Sequence, residues 1–313
     1  MSIGQRSGTV GRLRRIAVAG VVLAVSGLLA VGGSGVAQAV PGAAGAASIN
    51  LDWNGDGHAD LLAVNYRDGN LYSYDGNGNT NSAEGFADPF GSRIGTAWSG
   101  MLHVMPVTNW PGETGETVVA VRYDGELFAY PTDGHGRFLG GAFDVGARWN
   151  QFSIVVGATN FAGDGLPDVL GMLPNGDLYL FEFGPNGWVK PSGQLIGRGF
   201  NVFDQIVAMQ WTTSGHLGLL GHTSDGALRF YEGDGAGGFA TATGVQIGSG
   251  FVGAFGPPFQ LVSVGDWNGD GTGDLITVDG AGDLVLYGGN GAGGWLSPTG
   301  SMIGTGFSPM LVF

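Results

Sequence analysis

The sequence predicts an all-β fold, a five-bladed β-propeller built from five repeats of about 50 residues. Three observations predict it. Glycine supplies 64 of the 313 residues, about three times its ordinary share of roughly 7%. No stretch keeps a helical period without a glycine in it, and each such glycine costs about 1 kcal/mol relative to alanine. Finally, three landmarks recur five times in one constant order.

The first landmark is a polar loop carrying an aromatic residue: Trp53, Trp110, Phe161, Trp211 and Trp267. The second is a Leu-x-x-aromatic strand: Leu71 with Tyr74, Leu127 with Tyr130, Leu178 with Phe181, Leu228 with Tyr231, and Leu284 with Tyr287. The third is an aliphatic-Gly-x-x-aromatic step. It ends in Trp98, Trp149, Phe200, Phe251 and Phe307. Three landmarks in one register define a repeat. Short apolar runs bounded by Gly, Asn and Asp make each repeat a set of short strands and tight turns.

Taken along the chain, residues 1–39 read as a secretory signal peptide. Arg6, Arg12, Arg14 and Arg15 precede an apolar run, and Ala37-Gln38-Ala39 forms a small-residue cleavage site. The run is short for a membrane span, which needs about 20 apolar residues, so no span is expected after cleavage. Residues 40–47 are a flexible Gly/Ala-rich lead-in. The propeller occupies 48–313. Its last strand, 310–313, is expected to pair near 48–51 and close the ring, hiding the strand edges.

The mature chain keeps eight bases and 26 acids, a net charge of −18. That balance argues against nucleic acid, which needs a basic footprint. The chain has no cysteine. A secreted chain without disulfides relies on core burial, metal ions or closure of the fold.

The acidic loops carry the clearest chemistry. The first reads Asp52-Trp53-Asn54-Gly55-Asp56-Gly57-His58-Ala59-Asp60, the fifth Asp266-Trp267-Asn268-Gly269-Asp270-Gly271-Thr272-Gly273-Asp274. Oxygen side chains stand at positions 1, 3, 5 and 9, with glycine at 6, and the carbonyls of His58 and Thr272 add a backbone ligand. Such hard oxygen sets suit Ca2+. Position 12 lies inside a strand, so these are not EF-hands. The bland alternative is a metal-free Asx-rich turn. The third loop keeps Asn160, Asp164 and Asp168 but loses the position-3 ligand, giving two calcium sites and a possible third. The second (Asn109, Pro111, Glu113, Thr117) and fourth (Gln210, Thr212, Ser214, Gly218) lack the charge and read as plain turns.

The D-x-[DN]-x-D-G-x-x-D loop followed by an apolar strand resembles the FG-GAP/VCBS repeat family of integrin-type propellers, with full motifs in two of five units. The resemblance implies calcium loops between strands. The stretch Val145-Gly146-Ala147-Arg148-Trp149-Asn150-Gln151-Phe152, followed by Pro174-Asn175-Gly176-Asp177-Leu178-Tyr179, is similar to the repeat of the five-bladed tachylectin-type lectins. That likeness implies N-acetylated sugar pockets between blades.

Three functions compete. The first is a secreted, calcium-stabilised binding module for carbohydrate on a cell surface or polymer. Trp98, Trp149, Asn150, Phe200, Phe251 and Phe307 are its candidate ligand residues. The competing role for these aromatics is packing between blades. The acidic surface favours a neutral glycan. The second is an interaction or adhesion scaffold that binds an extracellular protein and no sugar. The third, an enzyme, has little support. There is no G-x-S-x-G, H-E-x-x-H or cysteine nucleophile, and the G-x-G-x-x-G matches at 233–238 and 289–294 open no helix. A monomer is expected.

Overall fold

The computed structural model describes residues 51–80, 85–113, 115–251 and 260–313. The expected signal peptide and lead-in lie outside them. The described chain is a five-bladed β-propeller of five four-stranded antiparallel sheets. Blade 1 contains β1 (Leu61–Asn65), β2 (Asn70–Tyr74) and β3 (Ser92–Gly95); blade 2, β4 (Met101–Val107), β5 (Thr117–Arg122), β6 (Leu127–Pro131) and β7 (Phe143–Gly146). Blade 3 contains β8 (Ile154–Gly157), β9 (Asp168–Met172), β10 (Leu178–Glu182) and β11 (Gln194–Gly197). Blade 4 follows with β12 (Phe203–Met209), β13 (Gly218–Thr223), β14 (Leu228–Tyr231) and β15 (Val245–Gly248). Blade 5 has β16 (Gln260–Gly265), β17 (Asp274–Val278), β18 (Leu284–Tyr287) and β19 (Ser301–Gly304). The final strand, β20 (Met310–Val312), returns to blade 1.

That return closes the ring, with a different partner from the one the sequence suggested. β20 pairs with β1, Ala63 opposite Val312 and Asn65 opposite Met310. Phe313 and Leu62 exchange backbone hydrogen bonds, and the Leu51 carbonyl takes the next one, from the Asp60 N–H. Leu51 therefore continues the line of β20 along β1 instead of lying beside it. Leu51 and β20 together build the inner edge of blade 1.

The core is five separate layers, each between two adjacent blades. Leu62, Val64 and Trp98 of blade 1 pack with Val118 and Ala120 of blade 2. Leu61, Ala63 and Tyr74 turn the other way, onto Ile276 and Phe307 of blade 5. Because both faces of these strands are covered, β1, β5, β9, β13 and β17 read as continuous apolar runs rather than alternating ones.

The landmarks now have a geometry. Each landmark leucine sits at a β-bulge opposite the landmark glycine of the outer strand: Leu71 with Gly95, Leu127 with Gly146, Leu178 with Gly197, Leu228 with Gly248, Leu284 with Gly304. The aromatic three residues later folds back over that glycine. A Cβ on Gly95 would lie 2.4 Å from Trp98, and one on Gly197 2.4 Å from Phe200. Only glycine leaves room for the ring.

The inner strands line an axial cavity of about 310 Å³. Polar side chains stitch their free edges together: Gln205 accepts from the Leu261 N–H and Gln260 from that of Val312.

Candidate functional site

The antiparallel order gives the ring two faces. One carries the acidic loops and the hairpins between the third and fourth strands. The other carries the hairpins between the second and third strands and the turns joining blades.

On the first face, the 52–60 and 266–274 loops fold alike. Asp52 accepts backbone N–H groups of Gly55, Asp56 and Gly57. Asp266 accepts those of Asp270 and Gly271. Asp56 and Asp270 cap the N–H groups of His58 and Thr272, and Asn54 and Asn268 accept from Asp56 and Asp270. Asp60 and Asp274 point inward and are fully buried. Asp60 ties Asn54 to Gly76, and Asp274 ties Trp267 and Asn268 to Gly289. Each thus fastens its loop to the hairpin beneath.

Burial pushes the carboxyls of Asp60 and Asp274 up to about 7, and that of Asp168 likewise. The neighbouring acids push in the same direction: Asp75 and Asp56 beside Asp60, Asp270 and Asp266 beside Asp274. A buried carboxyl ringed by acids is uncompensated negative charge.

Does this fit calcium? The donors are all hard oxygens, and the buried acid of each loop lacks a countercharge, as a cation site requires. Among the described residues, however, no three His, Cys, Asp or Glu side chains converge far enough to hold a metal by themselves. The carboxylates are turned onto the loops' own N–H groups. The first and fifth loops fit the ion in chemistry and would hold it through Asp52, Asn54, Asp56, Asp60 and the His58 carbonyl, and through Asp266, Asn268, Asp270, Asp274 and the Thr272 carbonyl.

The third loop fits less well. Asn160 begins it with φ 53, a left-handed start absent at Asp52 and Asp266. Ala162 offers no side-chain oxygen. Lys190 pairs with Glu182 and feels the charge of Asp164 and Asp168, so a cation is already at hand. Asp168 nonetheless keeps a buried oxygen, Oδ1, with no partner.

Sequence reasoning missed the acids outside the loops. Asp75 and Glu182 follow the strand aromatic in blades 1 and 3 and act on Asp60 and Asp168. Glu232, at the same place in blade 4, accepts from Thr212 Oγ1 at 2.8 Å. Glu116, inside the blade 2 loop, is only 8% exposed with its Oε2 buried and unpartnered, and burial holds its carboxyl above the usual glutamate range. The signal for the first three is an acid directly after the landmark aromatic.

The candidate ligand aromatics take the packing role. Trp98, Trp149, Phe200, Phe251 and Phe307 are only 2–8% exposed. Each donates its backbone N–H to a hairpin glycine of its own blade, Gly69, Gly125, Gly176, Gly226 or Gly282, at 2.7–3.1 Å. Each ring also meets the strand aromatic of the next blade, with centroids 4.7–5.2 Å apart. Their faces are spent on the junctions.

Around them the second face is open. Asn150 is exposed, and its Nδ2 donates to the Tyr123 carbonyl at 3.3 Å. Ser99 and Asn201 stand equivalently over Gly69 and Gly176. Tyr66 and Tyr123, at the same hairpin position in adjacent blades, are 56% and 61% exposed. Partial burial, then the charge of Tyr123, holds the Tyr66 hydroxyl above the usual tyrosine range.

His222 and Asp204 form the one Asp–His pair among the described residues, at 2.5 Å. The other ring nitrogen is engaged by the Phe251 carbonyl, which leaves no free nitrogen to act as a base. No described helix is long and apolar enough to cross a membrane.

No family model matches the chain, and no curated protein matches it. Solved structures do. The chain is similar to the BP39L lectin from Burkholderia pseudomallei at 18% identity, over 79% of this chain and 82% of that one, with a TM-score of 0.45. It is also similar to BBS1N, solved in complex with ARL6DN, in crystals soaked with mercury (13% identity, 72% of this chain and 60% of that one, TM-score 0.33) and with lead (11%, 72% and 59%, 0.31). The chain spans about 60% of the BBS1N length it matches.

Proposed function

We propose that the chain is a secreted, calcium-stabilised binding module that recognises neutral carbohydrate through the turn face of the ring. One observation carries the reading: Tyr66 and Tyr123 hold the same hairpin position on adjacent blades with half-exposed rings, and the Asn150 amide donates to the Tyr123 carbonyl. Sugars are held by an aromatic face against the apolar side of the ring and a few directional hydrogen bonds. The acidic surface discourages anionic glycans. The calcium loops lie on the opposite face, so the ion serves stability and not ligand contact.

A protein-binding scaffold is the second reading. Exposed apolar side chains on the outer rim, Phe143 and Val245 on outer strands and Trp188 on a hairpin, favour it. A glycan array, run with and without chelator, separates the two. Graded binding to one class of neutral sugar supports the lectin reading, and silence across the array rejects it.

A further inference from the structure

The inner strands β4, β8, β12, β16 and β20 each stand at the end of their sheet, so one edge of each turns its N–H and C=O groups toward the axis. In two seams a glutamine bridges that edge to the next inner strand. Gln205 accepts from the Leu261 N–H, and Gln260 accepts from the Val312 N–H and donates to the Met310 carbonyl, at 2.7–2.9 Å. At the same repeat position blades 2, 3 and 1 carry His103, Ile154 and Leu311 instead.

Most of the axial cavity's wall is aliphatic, from residues such as Leu102, Val104, Ile206 and Leu261. His103 and Ser263 stand in the same wall. His103 Nε2 and Ser263 Oγ are buried and have no hydrogen-bond partner among the described residues. Ser263 lies three residues beyond the register position of His103, about 10 Å further along the strand direction. Buried polar atoms without partners cost stability, so two of them in one cavity wall point to a molecule that meets them there. Burial holds the His103 imidazole below the usual histidine range, and a neutral imidazole exchanges hydrogen bonds with a hydroxyl in either direction. Asp204 lines the cavity at its second-face end, half-exposed and paired with His222. A carboxylate at that mouth discourages anions.

We propose that the axial cavity binds a small uncharged molecule with an aliphatic body and a hydroxyl at each end, one met by His103 and the other by Ser263. The aliphatic wall takes the body, and the two polar atoms set the distance between the ends. The cavity's 310 Å³ is about twice the 150 Å³ that admits benzene in an engineered protein cavity, which gives room for about a dozen heavy atoms. The inference does not rest on the carbohydrate reading, because Tyr66 and Tyr123 are not in the cavity wall.

The test is titration calorimetry of the full chain with 1,8-octanediol as the probe. The parent should bind one molecule. 1-Octanol, which lacks one hydroxyl, should bind about tenfold more weakly, the contribution of one hydrogen bond. The octanedioate dianion should not bind. Ser263→Ala should bring the diol down to the affinity of the alcohol, with no fall in melting temperature, because it deletes an unpaired atom. His103→Phe, an apolar ring of similar size, should weaken the diol by the same factor. Val207→Phe and Ile154→Phe narrow the cavity and should abolish binding. Circular dichroism shows which variants fold, and Ser263→Ala, the smallest change, decides the matter where a larger one does not. A parent that ignores the diol overturns the proposal. So does equal affinity for diol and alcohol, or diol binding that is undiminished in Ser263→Ala or in a folded cavity-narrowing variant.

Discussion

Trp267 of the last blade and Phe86 of the first meet edge to face, ring centroids 5.5 Å apart, across the seam where the ring closes. The same contact recurs at every junction. Trp53 meets Phe138, Trp110 meets Phe183, Phe161 meets Phe239 and Trp211 meets Trp295, at 4.4–5.8 Å. The aromatic residue of each polar loop is thus a bolt into the following blade. The seam is built like the other four junctions.

Removing the bolt at the seam should be costly. Trp267→Ala and Phe86→Ala each delete a buried aromatic, which costs about 3–5 kcal/mol. Their double-mutant coupling should fall near 0.5–1.5 kcal/mol, the worth of an aromatic pair beyond its burial. Denaturant unfolding measures both, and additive losses would contradict a direct interaction.

A gain should come from Ala97. The residue before each junction aromatic is left-handed: Gly199, Gly250 and Gly306 in three blades, but Ala97 (φ 64) and Arg148 (φ 68) in two. A residue with a Cβ pays about 1 kcal/mol there. Ala97→Gly should therefore raise the unfolding midpoint, while Gly197→Ala, forced against the Phe200 ring, should lower it.

Chelation should lower the melting temperature of the parent, because an ion that binds only the folded loops stabilises them by mass action. The double variant Asp56→Ala, Asp270→Ala should lose that sensitivity. Equal melting curves for the parent with and without chelator would reject structural calcium.

The buried aspartates set a pH dependence in chelator. Their folded values near 7 stand above the ordinary 3.8. A carboxyl with a raised folded value holds its proton more tightly in the fold. The stability linked to it is complete below about 4 and lost as pH rises through about 7. Thermal scans in chelator should show the melting temperature rising as pH is lowered from about 8 to about 5. Asp274→Asn should flatten part of that slope. A slope of the opposite sign would refute the uncompensated burial of these groups.

Tyr66→Ser with Tyr123→Ser should abolish glycan retention without moving the melting temperature, since both rings stand largely in solvent. Trp149→Ala should instead unfold or strongly destabilise the chain. Array binding and thermal scans, read together, separate recognition from packing.

What was legible in the sequence is what repeats. Leucine, glycine and aromatic keep one register because they touch one another in every blade, as Leu178, Gly197 and Phe200 do. The second partner of each bolt was not legible. Phe86, Phe138, Phe183, Phe239 and Trp295 sit in hairpins of unequal length, so their spacing wanders. The Tyr66–Tyr123 pair escaped for a different reason. It occurs in only two blades, at one hairpin position that no landmark marks. The closing strand was placed near the right blade but on the wrong partner, because end-to-end sharing of one strand line leaves no periodic trace.

The pairing of β20 with β1 has a consequence in time. A chain made from its N-terminus presents the inner edge of β1 first, and the strand that covers it last. Until residues 310–313 emerge, blade 1 is a three-stranded sheet with an open edge, and the Trp267–Phe86 contact waits for blade 5. Folding of the ring therefore cannot finish before β20 is made. It must wait for the whole length to arrive, and in that interval the exposed edge of β1 is where a chaperone would find the chain and where two chains would mispair.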